Sequence, residues 1–208
     1  MNQIKIIAID VESCSVTGKF PKYTDLIIGI GAHTTSSLEL NSSFQSTQFI
    51  AKELTFDAEE EILSGFIQFL ERNRGAILTA YNLMGFDHPI LLTRSKEHYP
   101  LGFKLIDALP HLSLYDTMIA FKAFIKSNRS CKLLDALNHL SVNGYNCLEM
   151  KEKSVISGRE ILGFWAKQTA GVSTEFSSYL NEDSYNHMRV AQILLNNQIK
   201  QGLWSALG

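Results

Sequence analysis

Cysteine is scarce: Cys14, Cys131 and Cys147 form an odd set without the paired spacing of a zinc or redox motif. That argues against a disulfide framework and fits a reducing cytosol, so a cytoplasmic location is expected. No apolar run approaches the roughly 20 residues a membrane helix needs, and no leader precedes the first strand-like stretch; neither a membrane span nor a secretory signal is expected. A large charge excess is missing too. The formal net charge of −2 and a pI near 6.3 argue against a protein that coats nucleic acid by bulk charge. A local patch of Lys and Arg can still hold phosphates beside an acidic site. Internal repeats and low-complexity linkers are absent. With 45% apolar residues, a chain of 208 residues can bury one substantial core, and residues 1–208 are expected to form a single domain.

What is present begins at Lys5-Ile6-Ile7-Ala8-Ile9-Asp10-Val11-Glu12-Ser13, an apolar run that ends in two carboxylates one residue apart. Alternate residues of a strand face the same way, so Asp10 and Glu12 project together and could share a cation. Hard oxygen ligands suit magnesium or manganese better than zinc. Taken alone, a strand running out into a polar loop is the commoner explanation of such a motif.

Farther along, Asp25 to Ala32 predicts a second strand, and Phe44 to Ile50 a third, as consecutive antiparallel neighbours. Asp57 and Glu60 make a capping-box-like start for a helix carrying Ile62, Leu63, Phe66, Phe69 and Leu70 and ending near Gly75. Ala76 to Tyr81 predicts a buried strand that a right-handed crossover returns parallel to the first. Its end leads into Asn82 and then Asp87, which is offered at a helix start as a third ligand or as an N-cap. Another strand is expected between Leu101 and Leu109, then a helix from about Ser113 to Ile125, with Asp116 and Thr117 read as polar face or local packing rather than as ligands. Lys122, Lys126, Arg129 and Lys132 form a basic ladder; a solvated face is its commoner explanation and phosphate contact the alternative. A short helix from Lys132 to Leu140, a mixed loop from Val142 to Ser157 and a helix from Gly158 to Trp165 follow. A last helix starts near Ser173 or Thr174, with Tyr179 and Asp183 on one face and His187 as a surface residue.

Asp10-Val11-Glu12, Asn82-x4-Asp87 and Tyr179-x3-Asp183, in that order across nearly the whole chain, resemble the DEDD 3′-to-5′ exonucleases of the DnaQ-like, ribonuclease H-like superfamily. The tyrosine places the chain nearest the DEDDy subgroup, and within it nearest predicted exonucleases related to the proofreading domain of family B DNA polymerases. Tyr81-Asn82-x-x-Gly85-Phe86-Asp87-x-Pro89 is the most specific block. The resemblance implies an α/β ribonuclease H-like fold: a mixed five-stranded sheet, three strands antiparallel and two further strands parallel, with helices on both faces. It makes Asp10, Glu12, Asp87 and Asp183 the metal-binding acids. Tyr179 would orient the attacking water, and Asn82 and Phe86 would hold the terminal nucleotide. Two departures stand out. Leu83 replaces a glycine common after the asparagine, which bears on how the 3′ nucleotide is held, and Ser184 replaces a β-branched apolar residue, which bears on packing.

The implied activity is 3′-to-5′ exonuclease hydrolysis of single-stranded nucleic acid, DNA favoured over RNA. Two Mg2+ or Mn2+ ions roughly 3.5–4 Å apart would activate water and stabilise the leaving oxygen. A phenol with a pKa near 10 suits Tyr179 to positioning rather than to proton abstraction. The length left over holds no polymerase domain, so links to replication or repair proteins are expected in trans. A catalytically silent binding or adaptor module of the same fold, and a ribonuclease or an endonuclease, are the alternatives.

Overall fold

In the computed structural model, which describes residues 4–14, 22–40, 42–129, 131–145 and 158–203, the N-terminal apolar stretch is β1, Ile6–Ser13. β2, Ile27–Thr35, runs antiparallel to it, and β3, Gln45–Ile50, runs antiparallel to β2. Helix α1, Phe56–Glu71, carries the chain over one face to β4, Ile77–Ala80, which lies parallel to β1. After α2, Asp87–Glu97, and α3, Leu101–Ala108, the short β5, Ser113–Asp116, joins parallel to β4. The order β3-β2-β1-β4-β5 is the mixed five-stranded sheet that the resemblance implied. The C-terminal ends of the three parallel strands share one rim.

Helices cover both faces because β1 is apolar on both. Ile7, Ile9 and Val11 share one core with Leu63, Phe66 and Leu70 of α1. Ile6 and Ala8 point the other way and share a second core with Met188, Val190, Ile193 and Leu194 of α7, Glu175–Lys200. Each fully buried side chain of this size contributes about 1.5–3 kcal/mol. Helices α4, Thr117–Phe124, and α5, Leu133–Val142, lie on the α7 side, and α6, Gly158–Thr169, packs Ile161 and Trp165 beside Phe176 and Leu180. No described helix is long and apolar enough to cross a membrane.

Three local expectations are corrected. The strand expected between Leu101 and Leu109 is instead α3, with Leu101, Leu105 and Ala108 buried at helical spacing. The fifth strand comes from the first residues of the helix expected from Ser113: residues 113–116 pair with β4 before α4 begins. The cap of α1 is Thr55, whose side chain accepts from Ala58 N–H, rather than Asp57. Within the loop from Val142 to Ser157, residues 146–157, with Cys147 among them, lie outside the described residues.

A buried ionic group fixes α2 against the sheet. Glu59 Oε1 of α1 accepts from Ile27 N–H at 2.7 Å and from Arg94 Nε at 2.9 Å, while its Oε2 accepts from Arg94 Nη2 at 2.7 Å and lies 2.7 Å from His98 Nε2. Removing one partner of such a group strands a buried charge, typically at a cost of about 3–5 kcal/mol.

On β2, His33 is buried between Phe44 and Tyr185, with Nδ1 3.0 Å from Ser184 Oγ. Burial lowers its pKa from 6.5 to about 4. The unfolded chain therefore takes up this proton first, and the stability associated with neutral His33 is full above about pH 6.5 and lost as the pH falls towards 4. Melts between pH 7 and 4 should show a loss of roughly 2–3 kcal/mol from this group in the wild type. His33→Gln should flatten that part of the slope; an unchanged slope would locate the titration elsewhere.

Candidate metal centre

Two glycines on β2 determine how closely α7 approaches β1. Gly31 pairs with Asp10 and Gly29 with Glu12. A Cβ on Gly31 would lie 2.6 Å from the Leu180 carbonyl oxygen, and one on Gly29 would lie 2.8 Å from the Leu180 and Phe176 side chains. With hydrogen in those places the helix settles against the strand pair and Asp183 reaches the two strand acids. Asp10, Glu12 and Asp183 each offer a carboxylate oxygen, all within 4.8 Å of one another, and all three residues are half-buried. Repulsion between such charges is on the order of 3 kcal/mol per pair at an effective dielectric near 20. A divalent cation relieves it, and an all-oxygen donor set fits magnesium or manganese rather than zinc.

Tyr179 lies one helical turn before Asp183 and hydrogen-bonds to its carboxylate. Burial, then the carboxylates of Glu12, Asp183 and Asp10, push its hydroxyl far above the usual phenol range. Its hydroxyl is thereby held in the neutral, hydrogen-bonding form.

Asp87 is not one of the three clustered acids. It is the first residue of α2 and is buried, and its Oδ1 accepts from Val11 N–H at 3.2 Å. Val11 is the residue between Asp10 and Glu12, so Asp87 fixes the peptide that spaces the strand acids. Burial pushes its carboxyl well above the usual range, and Asp116 adds to the rise. The N-cap position of α2 is Phe86, so Asp87 spends its oxygen across the fold rather than as the cap.

The Asn82 block folds as its residue types require. Asn82 adopts a φ of 71°, a region asparagine tolerates, and its carbonyl accepts from the N–H groups of Gly85 and Phe86. A Cβ on Gly85 would sit 2.2 Å from Asn82 Oδ1, so the side chain folds over a place only glycine leaves open. Leu83 is fully buried in the α1-side core, which accounts for a leucine there. Phe86 is half-buried with its ring 6.4 Å from that of Tyr23, whose hydroxyl donates to the Gly85 carbonyl at 2.7 Å.

Three supporting residues escape a linear reading. Asp116 ends β5 and accepts from Met84 N–H at 2.9 Å, while its other oxygen caps α4 through Met118 and Ile119 N–H. The order Asp-Thr before an apolar run is an N-cap signal that could have found it. His187 is buried rather than on the surface: its Nδ1–H donates to the Ile9 carbonyl at 2.6 Å, one residue before Asp10. Tyr23 sits in a polar turn where nothing in the local pattern marks it. Ser184, fully buried, donates to the Leu180 carbonyl at 2.6 Å and meets His33, so its hydroxyl is satisfied inside the helix–sheet contact.

The profile of the DNA polymerase family B exonuclease domain matches residues 2–138. None of the curated protein sequences matches the chain. Among solved structures, the family B DNA polymerase of the hyperthermophilic archaeon Pyrobaculum calidifontis superposes with a TM-score of 0.67 at 16% identity; the match covers 92% of this chain and 24% of the polymerase. Exonuclease I of E. coli, in complex with an oligonucleotide, gives 0.46 at 13% identity over 96% of this chain and 42% of that one. The first shows the ribonuclease H-like fold. This chain thus spans about a quarter of the polymerase it resembles.

Two outcomes test the centre. Gly31→Ala should destabilise the protein by about 1–3 kcal/mol by pushing α7 outward, and should weaken the melting-temperature rise that magnesium or manganese produces. Either ion should raise the melting temperature of the wild type more than that of Asp10→Ala; equal shifts would count against a cation site there.

Proposed function

The chain belongs to the DNA polymerase family B exonuclease-domain family, and on that premise we propose that it removes nucleotides stepwise from the 3′ end of single-stranded nucleic acid, DNA in preference to RNA. One observation carries the reading. Tyr179 and Asp183 lie beyond the matched residues 2–138, yet α7 brings Asp183 to within 4.8 Å of the strand acids inside that match. A chance likeness of the first part would not require the distant helix to complete the acidic cluster.

In this reading Asp10, Glu12 and Asp183 hold the metal, with Asp87 as the fourth acid from α2. Two Mg2+ or Mn2+ ions, once bound there, would supply an activated water and charge compensation at the attacked phosphate and leaving oxygen. Tyr179, held neutral, aims that water in line with the scissile bond. Asn82 and Phe86 retain the terminal nucleotide, with Tyr23 extending the aromatic surface beside Phe86. The water oxygen bonds to phosphorus, the bond from phosphorus to the preceding O3′ breaks, and a proton ends on that oxygen. The products are a nucleoside 5′-monophosphate and a strand shorter by one residue.

Cleavage of a 5′-labelled single-stranded DNA and the matching RNA, with magnesium, manganese or EDTA, tests this directly. The wild type should give a metal-dependent ladder shortening from the 3′ end, faster on DNA. Asp10→Ala and Asp183→Ala should each lose at least about a thousandfold in rate, on the scale of about 4 kcal/mol of transition-state stabilisation. Cutting of circular strands would contradict exonuclease action. Binding without cleavage by the wild type would identify a silent module of the same fold.

A further inference from the structure

The basic ladder has a place in the structure that its sequence pattern does not show. Lys126, Arg129 and Lys132 are exposed and lie in the segment joining α4 to α5. Among the described residues, none of the three is paired with a carboxylate. The segment is tied to the rim that carries the acids. Tyr81, between the end of β4 and Asn82, shares its hydroxyl hydrogen between the carbonyls of Cys131 and Lys132, each at 3.1 Å. Tyr81, Phe124, Ile125, Cys131 and Leu133 all pack against the α7-side core, so the connection is seated on that side of the sheet. Lys126 takes a φ of 52° where α4 ends, and Lys132 N–H donates to Asp135 at 2.8 Å where α5 begins. Both ends of the segment are thereby set by local hydrogen bonding and packing.

A polyanion approaching this rim meets a cluster of carboxylates on a chain of net charge −2. Its terminal phosphate can be compensated at the metal centre, but the phosphates behind it need cations of their own. A merely solvated helix face could lie anywhere on the molecule, whereas this one is fastened to the residue preceding Asn82.

We propose that Lys126, Arg129 and Lys132 form a phosphate track that binds the single-stranded substrate 5′ of the nucleotide being removed. Tyr81 acts as the positioning residue that sets the track beside the active rim. The inference rests on the exonuclease reading for the identity of the polyanion. It assigns binding of the strand's body to the α4–α5 connection, apart from the residues that hold the 3′ end.

The test compares wild type, Lys126→Gln/Arg129→Gln/Lys132→Gln, and a control with the same charge loss at exposed positions away from the rim, Lys96→Gln/Lys104→Gln/Lys200→Gln. Two substrates are used: a twenty-nucleotide single-stranded DNA and the p-nitrophenyl ester of thymidine 5′-monophosphate, which has no strand behind it. The track variant should raise KM for the oligonucleotide on the order of tenfold to a hundredfold at low salt, leave kcat/KM for the ester unchanged, and flatten the log–log salt dependence of binding by about 2, from roughly 0.7 per lost contact. The control should leave KM within twofold of wild type. An unchanged oligonucleotide KM in the track variant, equal loss on the ester, or an equal effect in the control would each overturn the track. If the wild type hydrolyses neither substrate, the exonuclease reading fails. Metal-free binding of the oligonucleotide and its salt slope, measured on the same three proteins, then still decides whether the segment holds phosphates.

Discussion

Everything at the rim depends on how the last backbone groups of β1 are satisfied. β1 pairs with β4 as far as Ala8 and Thr79 and then extends past the end of that pairing. An orphaned buried amide or carbonyl there would cost on the order of 1–3 kcal/mol. Two side chains fill the gap: Asp87 from α2 accepts from Val11 N–H, and His187 from α7 donates to the Ile9 carbonyl. The peptides flanking Asp10 are thus held by the two helices that also carry Asp87 and Asp183. The strand needs the helices to be satisfied, and the acidic cluster needs the same helices to be assembled.

The closeness of α7 has its own requirements. Gly29 and Gly31 remove the side chains that would keep the helix away, and His33, two residues on along the same face, meets Ser184. Arg189 and Gln192, farther along α7, donate to the carbonyls of Leu40, Ser37 and Glu39, so the turn after β2 is fastened to the same helix. On the opposite face, the Glu59 group joins α1, α2 and the start of β2. The like charges crowded at the rim thus stand on a fold that is braced on its opposite face.

Much of this was legible in the residues. The strand periodicity of Ile6–Ser13 placed Asp10 and Glu12 on one face, and the four-residue spacing of Tyr179 and Asp183 placed them on one side of a helix. Ile62, Leu63, Phe66 and Leu70 marked α1 because one face of it is buried. Short segments defeated the same logic. Four residues of β5 carry too little alternation to separate them from the helix that follows, and Leu101, Leu105 and Ala108 span barely two turns. Local pattern is equally blind to contacts made across the fold. His187 resembles any polar residue of a long helix until its carbonyl partner, 178 residues away in sequence, is known. Asp87 reads as a ligand or a cap, and its bond to Val11 spans 76 residues.

That distance bears on the order in which the protein acquires its chemistry during synthesis. The sheet and the Asn82 block are complete once residues through Asp116 have formed, whereas Tyr179, Asp183 and His187 belong to the final helix. Contacts of such long range close late and slowly, because the loop entropy is lost before the contact is gained. A ribosome-bound chain would therefore carry the strands and the α1-side core, with the α7-side core open and the acidic cluster incomplete. The acidic cluster would close as one event, when α7 docks across β1 and β2.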